Sequence, residues 1–397
     1  MAEAAGSKSE PDWLSERRRK GASLAQELPL PTQKDKGWEF TDLAGLDVDA
    51  FEPAEPAGDA LNGSARDGNG PVVMPLDRAV EERPELTRER LGSLVSPEDP
   101  FVARNERELA HGVLVHVPAG VRLEEPIRVG PVLDRAGGSL AWRTLIVLEE
   151  DAEAEVWESY RTADGELEGL FNGVVELVVG QAARLRYVCT QELSERSWVF
   201  ASQRATVERD ATLEWVALGF GSGRGKVRME TDLAGQGANA RVTGALAGTG
   251  SQHLDYDTTQ EHAAPNTTSD LAFRGVLSGE ASAVWRGMIR VDPGAQRTDA
   301  FQESRNLLLT ERAHADAIPG LEIEADDVRC THAAAVAQVD PEQLYYLRTH
   351  GLGEPDAKRL VIEGFLQELV ERLPGGEAGE AVSAALERRL SELLTAA

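Results

Sequence analysis

The chain has 397 residues, 41% of them hydrophobic, and a formal net charge of −27. That length and apolar content support one extended packed core with smaller end domains, and they argue against wholesale disorder. The acidity argues against nucleic acid or an anionic membrane surface as the main partner, since both are held by clustered Lys and Arg.

A strongly solvated surface, or a partner with a basic face, accounts for the charge. Residues 1–13 are polar and acidic and lack the apolar run of a signal peptide. No segment approaches the roughly 20 apolar residues of a membrane span. The two cysteines, Cys189 and Cys330, are too few for a disulfide framework and fit a reducing compartment. The expected location is the cytoplasm.

Residues 10–28 read as a helix, with Pro11 near its first turn and Pro29 and Pro31 stopping it. The compact aromatic segment Gly37-Trp38-Glu39-Phe40-Thr41-Asp42-Leu43 follows. Residues 52–71, rich in Pro, Gly, Ala, Asn and Asp, read as a linker or mobile loop. A short helix is expected within 96–111. Residues 1–111 thus form an N-terminal helical region.

From about Gly112 to residue 339 apolar and polar residues alternate in short runs bounded by Gly, Asp and Pro. Val113, Val115 and Val117 share one face, as do Ala183, Leu185, Tyr187 and Cys189, and Leu213 and Trp215. A turn, then Ala, then a strand recurs at Asp151-Ala152, Gln181-Ala182, Asp210-Ala211, Gly237-Ala238 and Glu280-Ala281. The spacing is near-constant except at the last. Such a unit suggests rungs of a solenoid, and pattern alone leaves a β-sandwich equally open.

Residues 340–397 read as three helices. Asp340 and Pro341 start the first, and His350-Gly351 ends it. The second starts near Pro355, carries Leu360, Val361, Phe365, Leu366 and Leu369 on one stripe, and stops at Pro374-Gly375-Gly376. The third covers about 378–395. This cluster is either a docking surface or a cap on the open end of the core.

No P-loop, nucleophile elbow or zinc-protease motif is present. Cys330-Thr331-His332 closes the β pattern. Residues two apart on a strand point the same way, so thiol and imidazole emerge side by side. That donor pair suits iron, zinc or an iron–sulfur cluster. Two ligands do not close a tetrahedral site. Either another chain completes it, or the pair is a buried Cys beside a hydrogen-bonded His, and the residues by themselves favour the second. Cys189 reads as core. Glu322, Glu324, Asp326 and Asp327 could hold a cation through oxygen, though a solvated edge explains them better.

Taken together these segments resemble the SufB/SufD family of iron–sulfur cluster assembly proteins. The resemblance is carried by His262-x-x-Pro265-x-Thr267-x-Ser269-Asp270 and by Gly294-Ala295-Gln296-x-Thr298-Asp299-Ala300-Phe301-Gln302. It continues through Arg305-Asn306-Leu307-Leu308-Leu309, Pro319-x-Leu321-Glu322-Ile323 and Cys330-Thr331-His332. Gln343-Leu344-Tyr345-Tyr346-Leu347-Arg348 and Glu363-Gly364-Phe365 complete it, and Trp38-Glu39-Phe40-Thr41-Asp42-Leu43 resembles the SufD opening. It spans nearly the whole chain and is weak through 52–110. SufB-like chains carry a cluster-assembly cysteine near the position of Ala313 and a Glu at that of Ala333. Both departures point to a SufD-like member.

The resemblance implies a mainly β fold, a right-handed parallel β-helix flanked by helical regions. It implies a non-catalytic scaffold subunit that pairs through its β-helix with a SufB-like paralogue. A SufC-like ABC-type ATPase would dock on the C-terminal helices, at Leu344, Tyr345, Tyr346, Leu347 and Phe365. His332 would supply a ligand from this side of the interface to transient iron or an iron–sulfur cluster, with Cys330 as a second candidate. Reduced flavin is a further candidate ligand of the complex. A β-helical carbohydrate-active enzyme is the alternative, but the chain shows no paired carboxylates. A homodimeric SufD-like protein with a separate role is the other.

Overall fold

The computed structural model describes residues 10–58, 60–62, 70–373 and 375–396. Part of the expected linker, and Pro374 in the expected stop of the second C-terminal helix, lie outside the described residues.

Three short strands come first: β1 (Glu52–Pro53), β2 (Leu61–Asn62) and β3 (Val72–Pro75). The winding opens with β4 (His111–Val117), β5 (Ile127–Val129), β6 (Val132–Leu133), β7 (Gly138–Leu148), β8 (Glu153–Thr162) and β9 (Gly169–Val179). It continues through β10 (Arg184–Glu192), β11 (Trp198–Val207), β12 (Thr212–Gly219), β13 (Arg224–Leu233), β14 (Asn239–Gly248) and β15 (His253–His262). It closes with β16 (Thr268–Leu277), β17 (Ser282–Val291), β18 (Asp299–Leu308), β19 (His314–Ile323) and β20 (Arg329–Gln338).

From β7 onward successive strands alternate between two sheets. One sheet runs β4, β7, β9, β11, β13, β15, β17, β19; the other runs β5, β8, β10, β12, β14, β16, β18, β20. Every neighbour in both series is parallel, as between β16 and β18 or β18 and β20. This is a parallel β-solenoid of about eight turns, not a sandwich. A right-handed sense is the one parallel crossovers favour.

The alternation predicted from sequence is the inward row. Ala183, Leu185, Tyr187 and Cys189 are buried, as are Leu213 and Trp215. With Trp142, Phe171, Phe273 and Trp285 they fill the interior. One turn of each coil carries a residue in the left-handed region: Asp151, Ala182, Asp210, Gly237, Asn266 and Arg297. Each donates its N–H to a carbonyl of the next coil, Asp151 to Gln181, Ala182 to Arg209 and Asp210 to Gln236. The turns therefore stack as a ladder of their own. This corrects the expected repeat in two places. Ala182 is the turn residue and Ala183 the buried one, and Glu280-Ala281 opens β17 in the opposite sheet, hence its odd spacing.

The N-terminal region contains α1 (Asp12–Glu27), α2 (Leu76–Glu82), α3 (Pro84–Arg90) and α4 (Pro100–Glu108). Asp99 caps α4, accepting from the backbone N–H of Phe101 and Val102 at 2.8 and 3.1 Å. Two stretches of the expected linker are strand: β2 pairs antiparallel with β5, and β1 pairs parallel with β7. They cover backbone groups of the first coil that would otherwise be bare. The helices are fastened to the sheet by a buried ionic cluster. Arg143 of β7, 1% exposed, is held by Asn105 Oδ1 at 2.7 Å and by Glu106, which also pairs with Arg17. Trp38 stacks on Phe101 at 5.5 Å, and Phe101 on Phe200 at 3.7 Å.

The tail forms α5 (Pro341–Thr349), α6 (Glu354–Val370) and α7 (Glu377–Ala396). Ile362, Leu366, Leu369, Leu386 and Leu390 pack on Val188, Val216, Leu218, Val276 and Leu307. Those are outward residues of the even-numbered sheet. The C-terminal helices therefore lie along a flank of the solenoid and leave its end open.

Candidate functional site

The last coil differs from all the others. Among the described residues β20 pairs only with β18, and β19 only with β17, so each sheet ends there on an edge strand. Leu321, Ile323 and Val336 are 37%, 41% and 45% exposed there. Bare edges flanked by exposed large apolar residues mark an interaction surface.

Cys330 and His332 both sit on this edge strand. In register they face Ala300 and Gln302, which are buried, so the pair continues the inward row. No later coil covers that row, and His332 is exposed. Cys330 packs against Ile289, Val291, Ala295 and Ala300, and this burial, with Asp299 nearby, pushes its thiol up. His332 is the more exposed donor, and Cys330 is half-buried.

Among the described residues, no group of three or more His, Cys, Asp or Glu could hold a metal ion. The residues of the acidic run are exposed, and Glu322 pairs with Arg290 at 3.1 Å. Cys330 and His332 are two donors, and a closed tetrahedral site takes four.

The expected docking residues lie at the other end of β20. Tyr346, Leu347 and Phe365 line a hollow of about 820 Å³ together with Leu307, Val339 and Leu360. Leu344 stands outside that lining, and Tyr345 is 72% exposed on α5, a helix with no buried residue. The structure thus brings three of the five residues together. Ala337 and Gln338 also line the hollow, so one strand carries His332 near its start and the hollow at its end.

His262, the first residue of the family motif, is fully buried. Its ring nitrogens lie 2.8 Å from the hydroxyls of Thr267 and Ser269. Three of the motif's residues therefore clamp the turn between β15 and β16, and burial pushes the imidazole down to about 4. Sequence reasoning did not find a second polar cluster inside the coil. Glu158 accepts hydrogen bonds from Trp142 Nε1 at 2.8 Å, Thr144 Oγ1 at 2.5 Å and Tyr187. Burial pushes its carboxyl up, and burial with Glu158 pushes the Cys189 thiol to about 12. Cys189 is an inert core thiol. The signal was available, since Glu158 stands at an inward position of an alternating strand.

The model of the SUF system FeS cluster assembly SufBD core domain matches residues 132–365. The chain belongs to the SufB/SufD family. It is 28% identical to the iron–sulfur cluster assembly protein SufD of Bacillus subtilis, over 96% of this chain and 95% of that one. A SufBD family protein of Mycobacterium tuberculosis is 31% identical, over 88% and 92% respectively. SufB of Bacillus subtilis is 28% identical over 78% of this chain and 66% of its own length. Within the SufB/SufD family this chain is SufD-like. Ala313 itself is buried, at 5% exposure. Among the described residues, no helix is long and apolar enough to cross a membrane.

Proposed function

We propose that this chain is a scaffold subunit in iron–sulfur cluster assembly, pairing through its last coil with a SufB-like chain. The observation that carries the reading is the uncovered edge of β20, which presents His332 beside exposed apolar residues and leaves its ligand set incomplete. A second parallel coil laid against β19 and β20 would bury those residues and bring donors to the imidazole. Iron or a nascent cluster is the cargo of that junction, held between subunits. A SufC-like ABC-type ATPase docks on α5 and α6 at the hollow around Tyr346, Leu347 and Phe365. ATP binding there moves the helices, and the moved helices rearrange the paired solenoids. The chain itself catalyses no turnover.

Co-expression with SufB-like and SufC-like chains tests the scaffold role. A stable three-component complex is expected, and a chain recovered alone under all conditions refutes it. His332→Ala is expected to leave that complex intact while cutting cluster yield in anaerobic assembly. Undiminished yield would remove His332 from the site.

A further inference from the structure

We propose that Glu368 of α6 is a positioning residue, the anchor through which motion of the C-terminal helices reaches β18 and the His332 strand. The inference rests on the docking reading above and names the contact that would transmit it. The apolar packing of α6 on the sheet is non-directional and lets the helix slide. Charge-assisted hydrogen bonds fix position. Glu368 makes two of them, Oε2 lying 3.0 Å from Arg274 of β16 and 3.2 Å from Arg305 of β18.

The need for that carboxylate is electrostatic. Arg274 and Arg305 stand directly opposite each other in the ladder, and like charges at that spacing repel. Arg274 is 1% exposed, so water screens it little. Glu303 lies 2.5 Å from Arg274 and 3.2 Å from Arg305 and compensates one charge. Glu368 compensates the second. Two strands and one helix thereby meet in one neutral cluster of four side chains, to which the helix contributes Glu368. Just beyond the end of α6, Arg372 pairs with Asp270 of β16 at 3.0 Å, a second ionic contact to the same sheet. Glu303 faces Ala333 of β20, the residue after His332. β18 is also the sole strand partner of β20. A shift of α6 that drags Glu368 therefore moves β18, and β20 moves with it.

Hydrogen exchange tests the anchor, first on the full chain alone and then in the assembly with its SufB-like and SufC-like subunits. Glu368→Gln keeps the shape and removes the charge. In the isolated chain it is expected to speed exchange in Asp299–Leu308 and Arg329–Gln338 about five-fold, while β8 to β12 are unchanged. In the assembly, ATP is expected to alter exchange of those same two strands. Glu368→Gln should lose most of that alteration while the complex still forms and hydrolyses ATP, and Glu368→Asp should restore part of it. Unchanged exchange in Glu368→Gln, alone and assembled, overturns the proposal. A wild-type chain that binds no ATPase overturns the docking reading and the coupling with it. The isolated-chain measurement tells these two failures apart.

Discussion

His262 offers a quantitative test of the solenoid's interior. Its imidazole is 0% exposed, bridges the Thr267 and Ser269 hydroxyls at 2.8 Å, and titrates at about 4 instead of 6.5 because burial disfavours the cation. The unfolded chain therefore binds a proton that the folded chain refuses between those two values. A group with a depressed histidine pKa contributes its stability above the unfolded value, and that stability is lost as pH falls through 6.5 toward 4. From the two titration points the loss between neutral pH and pH 5 is about 2 kcal/mol, rising to about 3 kcal/mol below pH 4. The assay is denaturant unfolding at pH 7.5, 6 and 5, in parallel with His262→Gln, whose amide can still meet both hydroxyls. Subtracting the variant cancels the carboxylates and His253, which titrate in both chains. Wild type is expected to lose about 2 kcal/mol more than the variant over that range. Parallel losses would mean that the imidazole is hydrated in the fold, and the reasoning would be refuted.

Three further outcomes follow from the packing. Glu106→Ala removes the nearest carboxylate from the buried Arg143 guanidinium, leaving Glu176 at 3.8 Å, and is expected to cost about 3 kcal/mol in chemical unfolding; a cost under about 1 kcal/mol would show that water or Glu176 compensates Arg143. Leu369→Ala, at a position of 0% exposure between α6 and the sheet, should cost about 2–5 kcal/mol and make residues 354–396 cleavable by limited proteolysis. Thiol labelling of the native chain should modify Cys330 slowly and Cys189 only on unfolding, because Cys189 is buried with its thiol pushed to about 12; equal native rates would contradict the packing around Cys189.

Much of the core was legible because it is local. The alternation of Ala183, Leu185, Tyr187 and Cys189 is the inward row itself, and Asp340-Pro341 and Gly351 bound α5 as their chemistry dictates. Sheet membership was not legible. Both sheets show the same period of two, so Glu280-Ala281 and Asp210-Ala211 look alike although they open strands on opposite sides. α2 and α3 were missed because each is seven residues long and charge-rich. Such helices persist through tertiary contact, here Leu76, Ala79 and Val80 against the first coils. The setting of the candidate site was not legible. Cys330-Thr331-His332 reads identically on a covered strand and on a bare edge, and only the absence of a later coil in the sheet order separates the two. The charge cluster of Arg274, Arg305, Glu303 and Glu368 joins positions far apart in the chain, and no window of sequence contains it.

The two ends of the winding are unlike. At the start β2 and β3 run antiparallel to β5 and β4 and break the parallel series. At the finish β19 and β20 continue it with nothing beyond. A body with two such open faces could add units indefinitely. A body with one has a valence of one. Under the pairing proposed above, contact through the last coil would occupy that parallel face on both partners at once and leave none for a third, so growth would stop at a pair.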